Sequence, residues 1–141
     1  GAAKKKLEDD CKSLKNTMFL KLQSEVDFPK FLQIADIHIM PQKPGAHSLV
    51  MPSRMLGMMA SGKPIIAMAE NNSDVKKTID QCGIVVKPGD YLNFSKAILK
   101  LYKNKALRVK MGMQASKIVK SRFDRNKILS DFEKKLISIV G

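Results

Sequence analysis

The residues best suited to chemistry lie in one loop, Pro41 to Arg54, between an apolar run and a helical pattern. The loop contains one glycine and three prolines, and Pro52 is a residue type favoured in a first helical turn. A helix N-terminus binds phosphate because it offers unpaired N–H groups and a partial positive charge. The loop therefore predicts an anion site at the start of the helix.

Two interpretations are open for Arg54, which would lie in the first turn of that helix. A cation there opposes the helix dipole, so Arg54 either pairs with a nearby carboxylate or donates charge-assisted hydrogen bonds to a ligand phosphate. Ser53 caps the helix, contacts the phosphate, or does both. Lys43 is the other notable cation of the loop.

The two histidines lie in different settings. His38 alternates with Ile37 and Ile39 in an apolar run, which favours a structural role, whereas His47 precedes the helix and faces either ligand or protein. No second His or Cys lies at a ligand spacing, so no metal site is predicted. The sequence also lacks a Gly-x-Gly-x-x-Gly, a Walker sequence and a Ser/His/Asp set.

Apolar runs and helical spacing alternate along the chain. The runs predict strands at Asn16–Leu20, Ile37–Pro41, Pro64–Met68 and Gly83–Lys87. Three- and four-residue spacing predicts helices at Leu7–Leu14, Pro29–Ala35, Met51–Ser61, Asp74–Cys82 and 91–103, with helix continuing beyond. Repeated βα units indicate an α/β fold, a Rossmann-like parallel sheet with helices on both faces.

Local residue types mark several element boundaries. Gly62 and Gly83 each follow a helical stretch, where a left-handed residue is expected. Ser73 and Asp90 are predicted N-caps. The methionines at 55, 58 and 59 are predicted to pack in the core.

Length and composition limit the class of protein. The 141 residues, 44% of them apolar, fit one domain over 1–141, and no run approaches the roughly 20 apolar residues of a membrane-spanning helix. Cys11 and Cys82 are predicted to be free thiols, which suits the cytoplasm. Since residue 1 is Gly rather than Met and no leader pattern follows, we expect a piece of a longer chain.

The net charge of +13 is unevenly distributed, because residues 91–141 contain 13 basic and 3 acidic residues. A basic excess suggests a phosphate-bearing partner: nucleic acid, a lipid headgroup or a phosphorylated ligand. A nucleic-acid-binding module is the rival class, but aromatics are only 6% of the chain and Trp is absent. The chain therefore offers few aromatic rings for stacking on bases, and no nucleic-acid partner is expected.

Three stretches carry a resemblance to a known family: Ala35–Gln42, Leu49–Ala67 with its Ala-Ser-Gly-Lys-Pro-Ile-Ile string, and Gly83–Asp90. They resemble the C-terminal lobe of retaining GT-B glycosyltransferases of family 4, group 1, especially the colanic-acid and O-antigen branch. The resemblance implies a donor-binding lobe for a nucleoside-diphosphate sugar, without a metal or other cofactor.

The resemblance also implies site residues. It suggests the donor diphosphate at Met51, Ser53, Arg54 and Lys43, the donor sugar near His47 and Ser48, and the nucleoside near Leu20, Lys21, Leu22, Gly57 and Glu70. The family's two glutamates fall on Leu49 and Gly57, so both carboxylates are missing; Glu70 is the candidate substitute for ribose recognition. The catalytic residues stay unassigned.

The implied function is sugar transfer from a UDP- or GDP-sugar to a lipid-linked acceptor in bacterial surface polysaccharide synthesis. The family's lobes have further strands before the first helix and an N-terminal acceptor-binding lobe, so we expect this piece alone to be inactive. The expected location is cytoplasmic, peripheral at the inner face of the plasma membrane, with the basic helices near anionic lipid. A non-catalytic interaction domain is the third alternative, because the glutamates are missing.

Overall fold

The computed structural model describes residues 4–42 and 53–140, in which it places seven helices and three strands. The strands are β1 (His38–Met40), β2 (Ile65–Met68) and β3 (Gly83–Val86). The helices are α1 (Lys4–Asp10), α2 (Phe28–Ile34), α3 (Ser53–Ala60), α4 (Asp74–Ile79), α5 (Tyr91–Lys103), α6 (Lys105–Arg122) and α7 (Arg125–Val140). None of these helices combines the length and apolar character needed to cross a bilayer.

The three strands form one parallel sheet in the order β1-β2-β3. Ile65 of β2 is opposite His38 on one side and Gly83 on the other. All four residues of β2 are buried, as a parallel strand covered on both faces requires. The prediction of a parallel sheet is confirmed.

Successive residues of β2 face opposite sides of the sheet, and each side has its own helices. Ile65 and Ala67 belong to a core cluster with buried residues of α3, α4 and the second half of α6. Ile66 packs with Ala97 and Leu101 of α5 on the other side. Helices therefore cover both faces, as predicted, and Met55 and Met59 are fully buried, with Met58 packed beside them.

The predicted strand Asn16–Leu20 is wrong, because residues 16–20 form no strand in the structure. A strand needs a hydrogen-bonding neighbour, and β1 pairs only with β2 among the described residues. Met18 and Leu20 are exposed, at 80% and 52%. An apolar run with β-forming residues does not indicate which strand it would pair with. The pattern alone therefore predicts more strands than the structure contains.

Side-chain caps begin three of the later helices. Ser73 Oγ accepts from the Lys76 backbone N–H at 3.2 Å, and Asp90 Oδ1 accepts from the Asn93 N–H at 3.0 Å. These bonds confirm the two predicted caps. The backbone and side-chain hydrogen bonds from Asn93 lower the pKa of Asp90. Asn104 caps α6 by accepting from the Leu107 N–H.

The glycines serve two different purposes. Gly62 has φ of 72°, which confirms the predicted left-handed residue after α3. The same prediction for Gly83 is wrong, because its φ is not positive. A Cβ on Gly83 would overlap the Ile65 carbonyl oxygen, and one on Gly112 would overlap the Gly62 carbonyl oxygen. These two glycines permit close approach of β3 to β2 and of α6 to the turn before β2.

His38 is a buried structural residue, in agreement with the sequence interpretation. It is 6% exposed, and its Nε2 lies 2.9 Å from Ser61 Oγ. Ser61 Oγ in turn lies 2.6 Å from the Met58 carbonyl, to which it donates, so a chain of hydrogen bonds links the ring to the end of α3. Burial first, and then the charge of Lys63, lower the pKa of His38. The folded protein thus holds this ring neutral.

Replacing Gly112 by alanine should lower the free energy of unfolding by about 1–3 kcal/mol, since the new methyl group forces α6 away from Gly62. Urea unfolding measures the change. Gly57→Ala is the matched control, because its Cβ would meet only the mobile end of Leu32, at 3.3 Å, and alanine favours helix by about 1 kcal/mol. Equal stability of the two variants would contradict this close approach.

Acidification should destabilise the protein through His38. Its folded pKa lies below the usual 6.5, so its contribution is complete above that pH and is lost as the pH falls toward the folded value. Urea unfolding of the wild type and His38→Gln between pH 7.5 and 5 should show a steeper loss for the wild type. Parallel curves would rule out His38 as the titrating group, with His47 unchanged in both proteins.

Candidate functional site

The carboxyl ends of the three strands define one edge of the sheet, because all three run in parallel. The chain leaves β1 at Pro41, β2 at Ala69 and β3 at Lys87. Helix α3 ends just before Gly62 and the start of β2, so its N-terminus lies toward the carboxyl edge. Ligands of open parallel sheets bind at this edge, next to helix N-termini.

Ser53 and Arg54 are the first two residues of α3, and both are exposed. The ion pairs found among residues 4–42 and 53–140 join Lys4 to Glu8, Lys76 to Asp80 and Lys77 to Asp74, so no described carboxylate neutralises Arg54. A guanidinium facing solvent beside a helix N-terminus can bind an anionic ligand in two-point contact.

Glu70 occupies the turn that follows β2 at the same edge. Its carbonyl oxygen accepts hydrogen bonds from the Ser73 N–H at 3.1 Å and the Ser73 hydroxyl at 2.8 Å. Because Ser73 also caps α4, the turn is fixed at both ends. The half-buried Glu70 side chain forms no ion pair with a described cation. Its carboxylate can therefore accept hydrogen bonds from a ligand hydroxyl.

The other four predicted nucleoside residues have different surroundings. Gly57 lies in the middle of α3, and a Cβ there would sit 3.3 Å from Leu32 Cδ1, so this position packs against α2. Leu20, Lys21 and Leu22 form an exposed segment without regular structure, with Leu22 99% exposed. Sheet hydrogen bonds do not hold that segment at the carboxyl edge.

Several predicted site residues lie outside the described part of the chain. They are Lys43 and Met51 for the diphosphate, His47 and Ser48 for the donor sugar, and Leu49, one of the two positions with a missing glutamate. The site is thus described through Ser53, Arg54 and Glu70.

Sequence reasoning missed two polar residues at the same edge. The half-buried Gln42 follows β1, and the exposed Lys87 follows β3 directly. Their positions were the available signal, since Gln42 follows the predicted strand 37–41 and Lys87 is the last residue of the predicted strand 83–87. Lys87 adds a second described cation to the edge.

Most of the basic excess of the chain lies elsewhere. Helix α6 packs at Gly112 against Gly62, which precedes β2 and so marks the amino edge of the sheet. Lys117 and Lys120 line a depression with Gly62, and Lys110 lines one with Gly83, so these three cations of α6 lie at the amino edge. Within the described ranges, no three His, Cys, Asp or Glu side chains group as metal ligands would. Metal-independent chemistry remains a prediction.

Comparison with known proteins identifies relatives of this chain. The sequence pattern of the family described as glycosyl transferases group 1 matches residues 1–118. The putative colanic acid biosynthesis glycosyl transferase WcaI of Escherichia coli (strain K12) is 35% identical over 72 residues. Those residues are 50% of this chain and 18% of WcaI.

Two solved structures share the fold. Sucrose-phosphate synthase from Thermosynechococcus elongatus superposes with a TM-score of 0.76 at 17% identity, over 98% of this chain and 34% of that one. The C-terminal domain of the glycosyl transferase group 1 family protein LpcC from Francisella tularensis gives 0.61 at 21% identity, over 88% of this chain and 64% of that domain. The Rossmann-like α/β prediction is confirmed.

The family match, unlike the structural likenesses, extends to sequence over most of the chain. It includes α3 and the turn after β2, where Arg54 and Glu70 lie. The chain belongs to the glycosyl transferases group 1 family.

Proposed function

We propose that this chain is the donor-binding lobe of a retaining glycosyltransferase of family 4, in its colanic-acid and O-antigen branch. The donor is a UDP- or GDP-sugar, and the acceptor is a lipid-linked glycan of bacterial surface polysaccharide synthesis at the inner face of the plasma membrane. The observation that carries the proposal is Arg54, which no described carboxylate neutralises, at the N-terminus of α3 within a region that matches the family. The partial identity to WcaI supports the choice of branch.

The proposed chemistry follows from the helix terminus. Glycosyl transfer leaves a nucleoside diphosphate whose negative charge grows as the glycosidic bond breaks. The N–H groups of the first turn of α3 and the Arg54 guanidinium stabilise that charge without reorganising, which favours departure of the diphosphate. These groups supply the electrostatic role that a metal fills in other transferases, so no metal is needed.

The acceptor and the remaining catalytic groups come from elsewhere in the enzyme. The aligned part of this chain amounts to 18% of WcaI, and we place the acceptor site in an N-terminal lobe that faces the carboxyl edge. In this arrangement the lobe described here binds donor and does not transfer sugar alone.

We assign ribose recognition to Glu70. The family's second glutamate position is Gly57, which packs toward Leu32 of α2 and has no carboxylate. Glu70 provides one at the end of β2, in a turn fixed by Ser73. A carboxylate is a strong acceptor for the two hydroxyls of a ribose.

Replacement of Arg54 by alanine should weaken binding of UDP or GDP by on the order of 1.5–3 kcal/mol, the usual range for a hydrogen bond to a charged group. Isothermal titration calorimetry measures the affinity. Lys117→Ala is the matched control, because it removes an exposed cation from α6 and should leave the affinity unchanged. Arg54→Lys should recover only part of the loss, since lysine lacks the two-point donor geometry.

Two results would contradict the proposed donor site. If neither UDP nor GDP at millimolar concentration raises the melting temperature while a DNA oligonucleotide does so in a salt-sensitive way, the chain is a nucleic-acid-binding module. If neither ligand has an effect, and restoring an N-terminal lobe gives no donor hydrolysis or transfer, the chain is a non-catalytic interaction domain.

Glu70 and Arg54 should contact different parts of the ligand. Glu70→Gln should weaken UDP or GDP binding by about 5-fold or more and leave pyrophosphate binding unchanged, because pyrophosphate has no ribose. Arg54→Ala should weaken both. Competition against a fluorescent nucleotide measures the four affinities. If Glu70→Gln weakened pyrophosphate binding as much as nucleotide binding, the substitution would act through general electrostatics or folding and not through a ribose contact.

A further inference from the structure

Helix α6 carries apolar residues on two faces, only one of which is covered within the described structure. Gly112, Ala115 and Ile118 point into the lobe and are buried. Val109 and Met113 point outward and are 52% and 69% exposed. A surface helix of a single domain normally has one apolar face, so the outward pair calls for a partner.

Lysines surround the outward apolar pair, as the 3.6-residue repeat shows. Lys105 falls on one side of Val109 and Met113, and Lys110 and Lys117 fall on the other, while Lys120 lies at the C-terminal end of the stripe. All four lysines are exposed, and none pairs with a described carboxylate. We call this surface, Lys105 to Lys120, the outer face of α6.

The outer face of α6 has no part in the proposed donor site. Gly112, adjacent to Met113 in the helix, packs against Gly62 at the amino edge of the sheet, and Met113, Lys117 and Lys120 line a depression there with Gly62. The donor groups Arg54 and Glu70 lie at the carboxyl edge. A partner on the outer face therefore leaves the donor site open.

We propose that the outer face of α6 docks on the surface of an anionic phospholipid bilayer. The inference deepens the proposed function and rests on it for the presence of a membrane beside the enzyme. Lysines attract acidic headgroups, and Val109 and Met113 enter the boundary between headgroups and acyl chains.

The chemistry of the face disfavours other occupants. A second copy would bring like charges together, because α6 contains six basic residues and no acidic one. Nucleic acid would bury Val109 and Met113 against phosphates, and the face offers no aromatic ring for stacking. The shallow depression over Val109 and Met113 is lined, among the described residues, by α6 alone, and the neighbouring one beside Met113 adds only Gly62 from another element, so neither has the apolar second wall of a peptide groove.

Vesicle co-sedimentation of the 141-residue chain tests the proposal without donor or acceptor. We expect binding to vesicles of phosphatidylcholine with 30% phosphatidylglycerol, weakened by salt, and none to phosphatidylcholine alone. Lys110→Glu/Lys117→Glu should weaken the partition coefficient by at least about 30-fold. The control Lys96→Glu/Lys100→Glu, on α5, changes the net charge equally and should weaken it less than about 3-fold.

A single tryptophan reports the orientation, because the chain has none of its own. Met113→Trp should show a blue-shifted emission with the anionic vesicles, whereas Leu99→Trp, at an exposed position on α5, should not. Equal shifts at both positions would overturn docking through α6.

Three further results would overturn the proposal: no binding to the anionic vesicles, equal binding to both vesicle types, or equal losses in the two double variants. Tighter binding of a single-stranded oligonucleotide, lost in Lys110→Glu/Lys117→Glu, would also overturn it and identify nucleic acid as the partner. Each double variant is also titrated with UDP and GDP. In the wild-type chain, titrated in the same way, nucleotide binding without vesicle binding rejects the docking face alone, and vesicle binding without nucleotide binding rejects the donor site alone. Lys110→Glu/Lys117→Glu should lose vesicle binding and keep nucleotide binding.

Discussion

The complete burial of β2 between two parallel neighbours is the constraint on which the rest of the lobe depends. A strand buried on both faces needs helices above and below it, and parallel neighbours need a crossover to return the chain to the same end. Those crossovers place every strand's carboxyl end at one edge and every turn into a strand at the other. The division between a ligand-binding edge and a structural edge follows from this pairing.

Local sequence patterns predict the elements whose own residues specify them. The strands predicted at 37–41, 64–68 and 83–87 form, each shorter by no more than one residue at either end, and the caps at Ser73 and Asp90 form as expected. The predicted strand at 16–20 does not form, because strand pairing depends on a neighbouring strand that an apolar run does not specify. The role of Gly112 was equally hidden, since the carbonyl it approaches belongs to Gly62, fifty positions earlier.

The candidate site was predictable in its type and only partly in its membership. A helix N-terminus after a glycine- and proline-containing loop predicts an anion site by local chemistry, and Arg54 lies there. Lys87 was missed because it joins the edge through strand order and not through a motif. Gly57, aligned with a ligand-binding position of the family, packs close to Leu32 of α2, and its part in nucleoside binding stays a prediction.

The charge of the chain has a different meaning once the two edges are distinguished. Taken as a total, +13 suggests a large polyanion, yet the carboxyl edge uses few cations, Arg54 and Lys87 among those described. The proposed phosphate site depends on geometry, because a fixed helix terminus and one guanidinium would act on the ligand at short range. Lys110, Lys117 and Lys120 of α6 lie at the opposite edge, and the proposed attraction to a membrane there needs no fixed geometry, because the number of charges decides its strength. A short-range site and a long-range surface can thus change independently, since the buried sheet lies between them.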